Sequence, residues 1–164
     1  MFKVGEYVVY KRNVCSIKEL KDINSKKYYI LVPIDDKTLT ISVPVDADKN
    51  LLRGIISKEE SEKLIKSIPN IEVININDKL IENEYKKLIS TGKLEDLVKI
   101  IKTTYNRNYE RISNKKKIGE KDDNYFRKAE NLLYNELSIS LGKSYEDTKK
   151  YVIDKVKAIM DEKN

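Results

Sequence analysis

The sequence predicts an α+β protein, with a small antiparallel β module at the N-terminus followed by a compact all-helical bundle. Three features carry that reading. Up to about residue 45, short β-branched and aromatic runs alternate with turn residues. Beyond Pro44, apolar residues recur at helical spacing. Capping residues open several of those stretches, and Gly or Pro closes most of them.

The strands come first. Glu6-Tyr7-Val8-Val9-Tyr10-Lys11 has strand composition, and Val14 to Leu20, Lys27 to Val32 and Thr38 to Val43 repeat it. Leu39 to Val43 alternates with period two. The breaks at Arg12-Asn13, Asp22 to Ser25 and Ile34 to Lys37 have turn chemistry. Such short connections cannot hold helical crossovers, so the strands read as an antiparallel meander or barrel.

The helices follow. Ser57 with Glu60 forms a capping box that opens Lys58 to Ser67, and Pro69 ends it. Residues 70–77 read as a linker. Asp78 is expected to cap a helix bearing Leu80, Ile81, Tyr85, Leu88 and Ile89, which stops near Gly92. The next helix sets Leu94, Leu97, Val98, Ile101 and Tyr105 on one face. A third carries Phe126, Ala129, Leu132, Leu133 and Leu137 up to Gly142. Ser144 with Asp147 caps a last helix bearing Val152, Val156 and Ile159. Helices of this kind bury their stripes against one another, so they predict a bundle. The expected division is a β module over 1–57 and a helical domain over 58–164. Within the latter, 58–77 is a first helix and linker, and 78–164 is the bundle.

Composition removes several function classes. The 164 residues include no histidine and one cysteine, Cys15. Catalytic arrangements that need His, the usual zinc sites and an internal disulfide are therefore absent. No Gly-rich phosphate loop or calcium loop organises the 27 acidic residues. Asp35-Asp36 and Asp122-Asp123 fit a turn and a helix start. No metal, cofactor or catalytic residue is expected, and the reading is non-enzymatic. No apolar run approaches the ~20 residues of a membrane span, and Met1 to Glu6 does not resemble a secretory signal. A cytoplasmic monomer without membrane contact is expected.

The net charge is +6, and 28 of the 33 basic residues are lysine. Residues 99 to 117 hold Lys99, Lys102, Arg107, Arg111, Lys115, Lys116 and Lys117 against Glu110 alone. That stretch equals the whole net charge. It reads either as the footprint of a polyanion binder or as a solvated helix face with a lysine-rich loop. Tyr105 and Tyr109, interleaved with the arginines, could stack on bases, although Tyr105 also fits the apolar stripe.

Phe2-Lys3-Val4-Gly5-Glu6-Tyr7-Val8-Val9-Tyr10 resembles the opening of the CarD family of bacterial transcription regulators. Val43-Pro44-Val45-Asp46 with Leu52-Arg53-Gly54-Ile55-Ile56-Ser57 is similar to the segment closing that family's RNA-polymerase-interacting domain, a Tudor-like β module shared with the transcription-repair coupling factor. Ile118 to Leu137, and Tyr85-Lys86-Lys87-Leu88 before Gly92, are similar to its later helices. The resemblance implies docking on the β-subunit lobe of RNA polymerase by strand addition, with Lys37, Thr38, Thr40 and Ser42 at the contact. It also implies that the helical module meets promoter DNA beside the melted region, where the family sets a tryptophan wedge next to arginines and so modulates open-complex stability. Here Asn77 or Asp78 stands at the wedge position and Lys79-Leu80 at the arginine pair. Adding the basic stretch, read from its charge as phosphate contact in an arrangement that is not the family's usual one, the DNA-contact set is Asn77, Lys79, Lys99, Lys102, Arg107, Arg111, Lys115, Lys116 and Lys117. Minor groove and phosphate backbone are both open as the point of contact. Two rival readings are a nonspecific nucleic-acid-binding module and an adaptor that binds protein alone.

Overall fold

Two tight hairpins organise the N-terminal unit, Met1–Ile55, in a computed structural model that describes residues 1–163. Strand β1 (Tyr7–Tyr10) pairs with β2 (Asn13–Ile23) across Lys11-Arg12, with Tyr10 opposite Asn13. Strand β3 (Lys26–Pro33) returns from β2 across Asn24-Ser25, whose φ angles are 50° and 67°. Two consecutive left-handed residues match the twist of a tight hairpin, and asparagine tolerates that conformation better than most side chains. Strand β4 (Ile41–Pro44) pairs with β3, and β5 (Leu52–Gly54) pairs back onto β1. The order is β4-β3-β2-β1-β5, with every pair antiparallel.

Alternation places Val8, Cys15, Ile17, Tyr29, Leu31, Val43 and Leu52 in one buried cluster. Phe2 joins its margin: its ring lies 5.9 Å from that of Tyr29, and its backbone N–H donates to Tyr29 Oη at 2.9 Å. Two local differences from the sequence reading have physical causes. The strand expected from Thr38 begins only at Ile41, because Asp36 Oδ1 accepts from the Thr38 N–H at 3.1 Å and its hydroxyl at 2.5 Å, which holds the chain in a turn. Strand β5 is too short to alternate, so periodicity does not mark it as a strand. It forms because β1 offers it a pairing edge and Leu52 is buried with the core.

The second unit begins at Ile56. Its helices are α1 (Lys58–Ser67), α2 (Asp78–Ser90), α3 (Leu94–Ser113), α4 (Glu120–Leu141) and α5 (Tyr145–Glu162), with a 3-10 turn over Ile68–Asn70. The Ser57–Glu60 capping box forms in both directions. Helix α2 is capped by Asn77, whose side chain accepts from the Lys79 N–H at 3.0 Å, and Asp78 is its first residue rather than its cap. Gly142 takes φ 65° and ends α4 with a left-handed cap. Residues 132–137 of α4 are buried without interruption, as in a helix surrounded by others. The buried Glu136 carboxylate accepts the Ile56 N–H at 3.0 Å, and the hydroxyls of Ser61 and Ser140 meet at 2.6 Å, seating α1 on α4. Among the described residues no helix is long and apolar enough to cross a membrane.

Helix α3 buries Leu97, Val98, Ile100, Thr103 and Thr104 and packs Leu94 and Ile101 against the same core, but the expected face ends before Tyr105, which is 58% exposed. The threonines can be buried because their hydroxyls donate to carbonyls one turn back, Thr103 to Lys99 O and Thr104 to Ile100 O, both at 2.7 Å. The inward stripe Leu97, Ile100, Thr104 continues at the same spacing to Arg107 and Arg111.

Candidate functional site

Each unit carries its own candidate surface. In the β unit it is the outer side of β4. Among the described residues no strand pairs there, because the sheet ends at β4. The Val45 N–H donates to Lys27 O at 3.1 Å, and Val45 faces Lys27 in register. In an antiparallel ladder, bonded and non-bonded pairs alternate. Ile41, Val43 and Val45 therefore bond towards β3, while Ser42 and Pro44 turn their backbone groups outward. Pro44 has no N–H, and its carbonyl accepts from Ala47 N–H at 3.0 Å. Within β4 the outward pair still on offer is the N–H and C=O of Ser42.

Lys37, Thr38, Thr40 and Ser42 are all exposed, but they do not form one strand. Ser42 lies in β4, Thr40 precedes it, and Lys37 and Thr38 belong to the turn. The Thr38 hydroxyl is held by Asp36, and that bond lowers the Asp36 carboxyl below its usual value. Cys15 is fully buried in β2, and burial pushes its thiol up to about 11, so it is inert packing.

In the helical unit the basic stretch divides by geometry. Arg107 Nε donates to Asp122 Oδ2 at 2.9 Å, and Arg111 Nη1 donates to the same oxygen at 2.6 Å. Tyr85 Oη donates to Asp122 Oδ1 at 2.8 Å, and Arg107 Nη1 reaches Asp78 Oδ1 at 2.8 Å. Asp122 is only 2% exposed. Burial alone would raise its carboxyl, but the two guanidiniums and the tyrosine hydroxyl outweigh burial and hold it below the carboxylate range. The same contact with Arg107 lowers Asp78. Burial and the bond to Asp122 push the Tyr85 phenol up. Asn108 Oδ1 accepts from the Gly119 N–H at 2.8 Å and from Arg111 at 2.5 Å, tying the loop before α4 to α3.

Lys102 is also engaged. Its Nζ donates to the carbonyls of Ile68 at 2.8 Å and of Ile71, with Pro69 farther away at 3.5 Å. Burial lowers its pKa. Lys99 is half-buried, while Lys79, Lys115, Lys116 and Lys117 are exposed. Asn77 is exposed too, with its side chain acting as the α2 cap. The structure therefore gathers Arg107 and Arg111 into an internal ion network, fastens Lys102 to a 3-10 turn, and leaves the lysine triplet on the surface. Sequence reading missed Asp122 as the hub of that network. The available signal was the 97–100–104 spacing, which places two arginines facing inward and so requires a carboxylate opposite them.

Residues 2–56 match the family model of the CarD-like/TRCF RID domain. The matched span coincides with the β unit. No curated protein matches the chain.

Proposed function

We propose, from the premise that residues 2–56 form a CarD-like RNA-polymerase-interacting domain, that the protein is a bacterial transcription regulator which docks on the polymerase β-subunit lobe by adding a strand at β4. The observation that carries this reading is the outward backbone of Ser42 on the last strand of the sheet. A strand edge that keeps an N–H and a C=O in solvent binds a partner strand through main-chain bonds. The β4 segment is short and ends at Pro44, which limits pairing to a brief stretch and opposes indiscriminate aggregation.

The helical unit would then contact promoter DNA near the melted region and modulate open-complex stability. Lys79 and Lys115 to Lys117 are the exposed cations that support this, acting on phosphates without reading bases. Arg107, Arg111 and Lys102 are positioning residues in this reading, since their donors are engaged inside the unit.

The test is co-purification of the protein with the isolated polymerase β lobe. Ser42→Pro removes the outward N–H and leaves the bonds from Val43 and Val45 to β3 in place, so it should abolish capture while the β unit still folds. Retention of full binding by that variant would refute strand addition at β4.

A further inference from the structure

Beyond Thr104 the outward face of α3 carries Tyr105, Tyr109 and Ile112, spaced i, i+4 and i+7 on one side of the helix. They are 58%, 63% and 59% exposed. The tyrosine rings lie 6.2 Å apart with 20° between their planes, a stacked pair standing in solvent. Beside Tyr105 a groove of about 570 Å³ opens between α3 and α5, floored by Leu133 and Tyr134 of α4. Its polar lining residues include Lys102, Asn106, Lys157 and Asp161, with Lys102 held by the carbonyls of Ile68 and Ile71, so the approach to the Tyr105 ring is open and mainly apolar. Helix α3 ends at Ser113, about 6 Å of helix axis past Tyr109, and the exposed Lys115, Lys116 and Lys117 follow at once.

We infer that Tyr105 and Tyr109 form a stacking platform for the unpaired bases of a single DNA strand, with Lys115 to Lys117 holding its phosphates. The chemistry selects this occupant. The exposed surface is mainly aromatic, every base has a π-face to offer it, and the neighbouring positive charge complements a polyanion. The inference rests on the DNA-contact reading above and deepens it by naming the form of DNA and the side chains that meet bases.

The test is fluorescence anisotropy with labelled oligothymidylate and a duplex of equal length, using the full chain. Comparison proteins are Y105A/Y109A, Y105F/Y109F and K115E/K116E/K117E. The wild type should prefer the single strand. Y105A/Y109A should weaken single-strand binding by about tenfold or more and leave duplex binding unchanged. The phenylalanine pair, which keeps the rings, should bind like wild type, and the lysine reversal should weaken both. Both tyrosines are exposed, so the variants should melt like wild type. Equal binding of single strand and duplex, with no effect of Y105A/Y109A, would overturn the platform and leave phosphate contact standing. No binding to either DNA would overturn both readings. A Y105A/Y109A defect confined to polymerase capture, with oligothymidylate binding intact, would overturn the platform in favour of a protein contact.

Discussion

Arg111 donates to Asp122 at 2.6 Å, and the carboxylate that receives it is almost wholly buried while the guanidinium keeps 30% of its side chain in solvent. With Arg107 and Tyr85 on the same carboxylate, this contact closes the end of the α3–α4 interface with charge where Leu97 and Ile100 close its start with hydrocarbon. Replacing Asp122 with Asn should therefore destabilise the helical unit by about 2–3 kcal/mol. That is below the range for a fully buried pair, because the arginines left behind can still reach water. The measurement is the thermal transition followed by far-ultraviolet circular dichroism.

The same carboxylate makes the helical unit sensitive to acid. Asp122 has a folded pKa below its unfolded value of 3.8. Its contribution is complete above that value and is lost as pH falls through the lower folded pKa. Stability should decline as pH falls below the unfolded value of 3.8, and Asp122→Asn should flatten that part of the profile. An unchanged slope in the variant would show that other carboxylates control acid unfolding.

Gly119 is required for approach rather than for backbone freedom, since its φ is an ordinary −75°. A Cβ there would collide with Arg111 Nη1 and stand 2.6 Å from Cζ. Gly119→Ala should displace Arg111 from Asp122 and cost about 1–2 kcal/mol. In an Arg111→Met background the same change should cost less, and a double-mutant cycle reads the difference.

Lys102 closes the C-terminal end of α1 and its 3-10 turn from outside. Lys102→Met retains much of the aliphatic stem but removes the lysine donor from the Ile71 carbonyl, while the Ile68 carbonyl keeps only the Ile71 N–H at 3.1 Å. It should destabilise by about 1–2 kcal/mol, measured by urea unfolding.

Cys15 should react with a disulfide reagent at pH 8 only as fast as the β unit opens. Its thiol is fully buried and titrates at about 11, so little thiolate exists in the folded state. Adding urea to the midpoint of unfolding should restore the rate of a free cysteine.

Local pattern made the two textures of the chain legible: the breaks read at Arg12-Asn13 and Asp22 to Ser25 lie within a residue or two of the observed turns at Lys11-Arg12 and Asn24-Ser25, and the Ser57 and Ser144 caps and the stop at Gly142 are likewise contained in a few neighbouring residues. The resemblance that pointed to a polymerase-interacting domain lay in residues of the same N-terminal stretch that the family model matches. What could not be read was the second half of α3. Apolar spacing carried the Leu94, Leu97, Val98 and Ile101 face on to Tyr105, whereas the folded helix leaves Tyr105 outside and turns Thr104, Arg107 and Arg111 inward. That choice depends on Asp122 and Tyr85, which reach the arginines from other helices.

The sequence by itself determined the succession of the first four strands and of the helices, because propensity, capping and turn chemistry act over a few residues. It also determined the net charge and its concentration between residues 99 and 117. Only the tertiary structure decided which of those charges meet solvent. A cation's availability depends on whether a carboxylate or carbonyl distant in the chain lies within hydrogen-bond reach. Asp122 takes Arg107 and Arg111, the turn at Ile68 takes Lys102, and the lysine triplet remains on the surface.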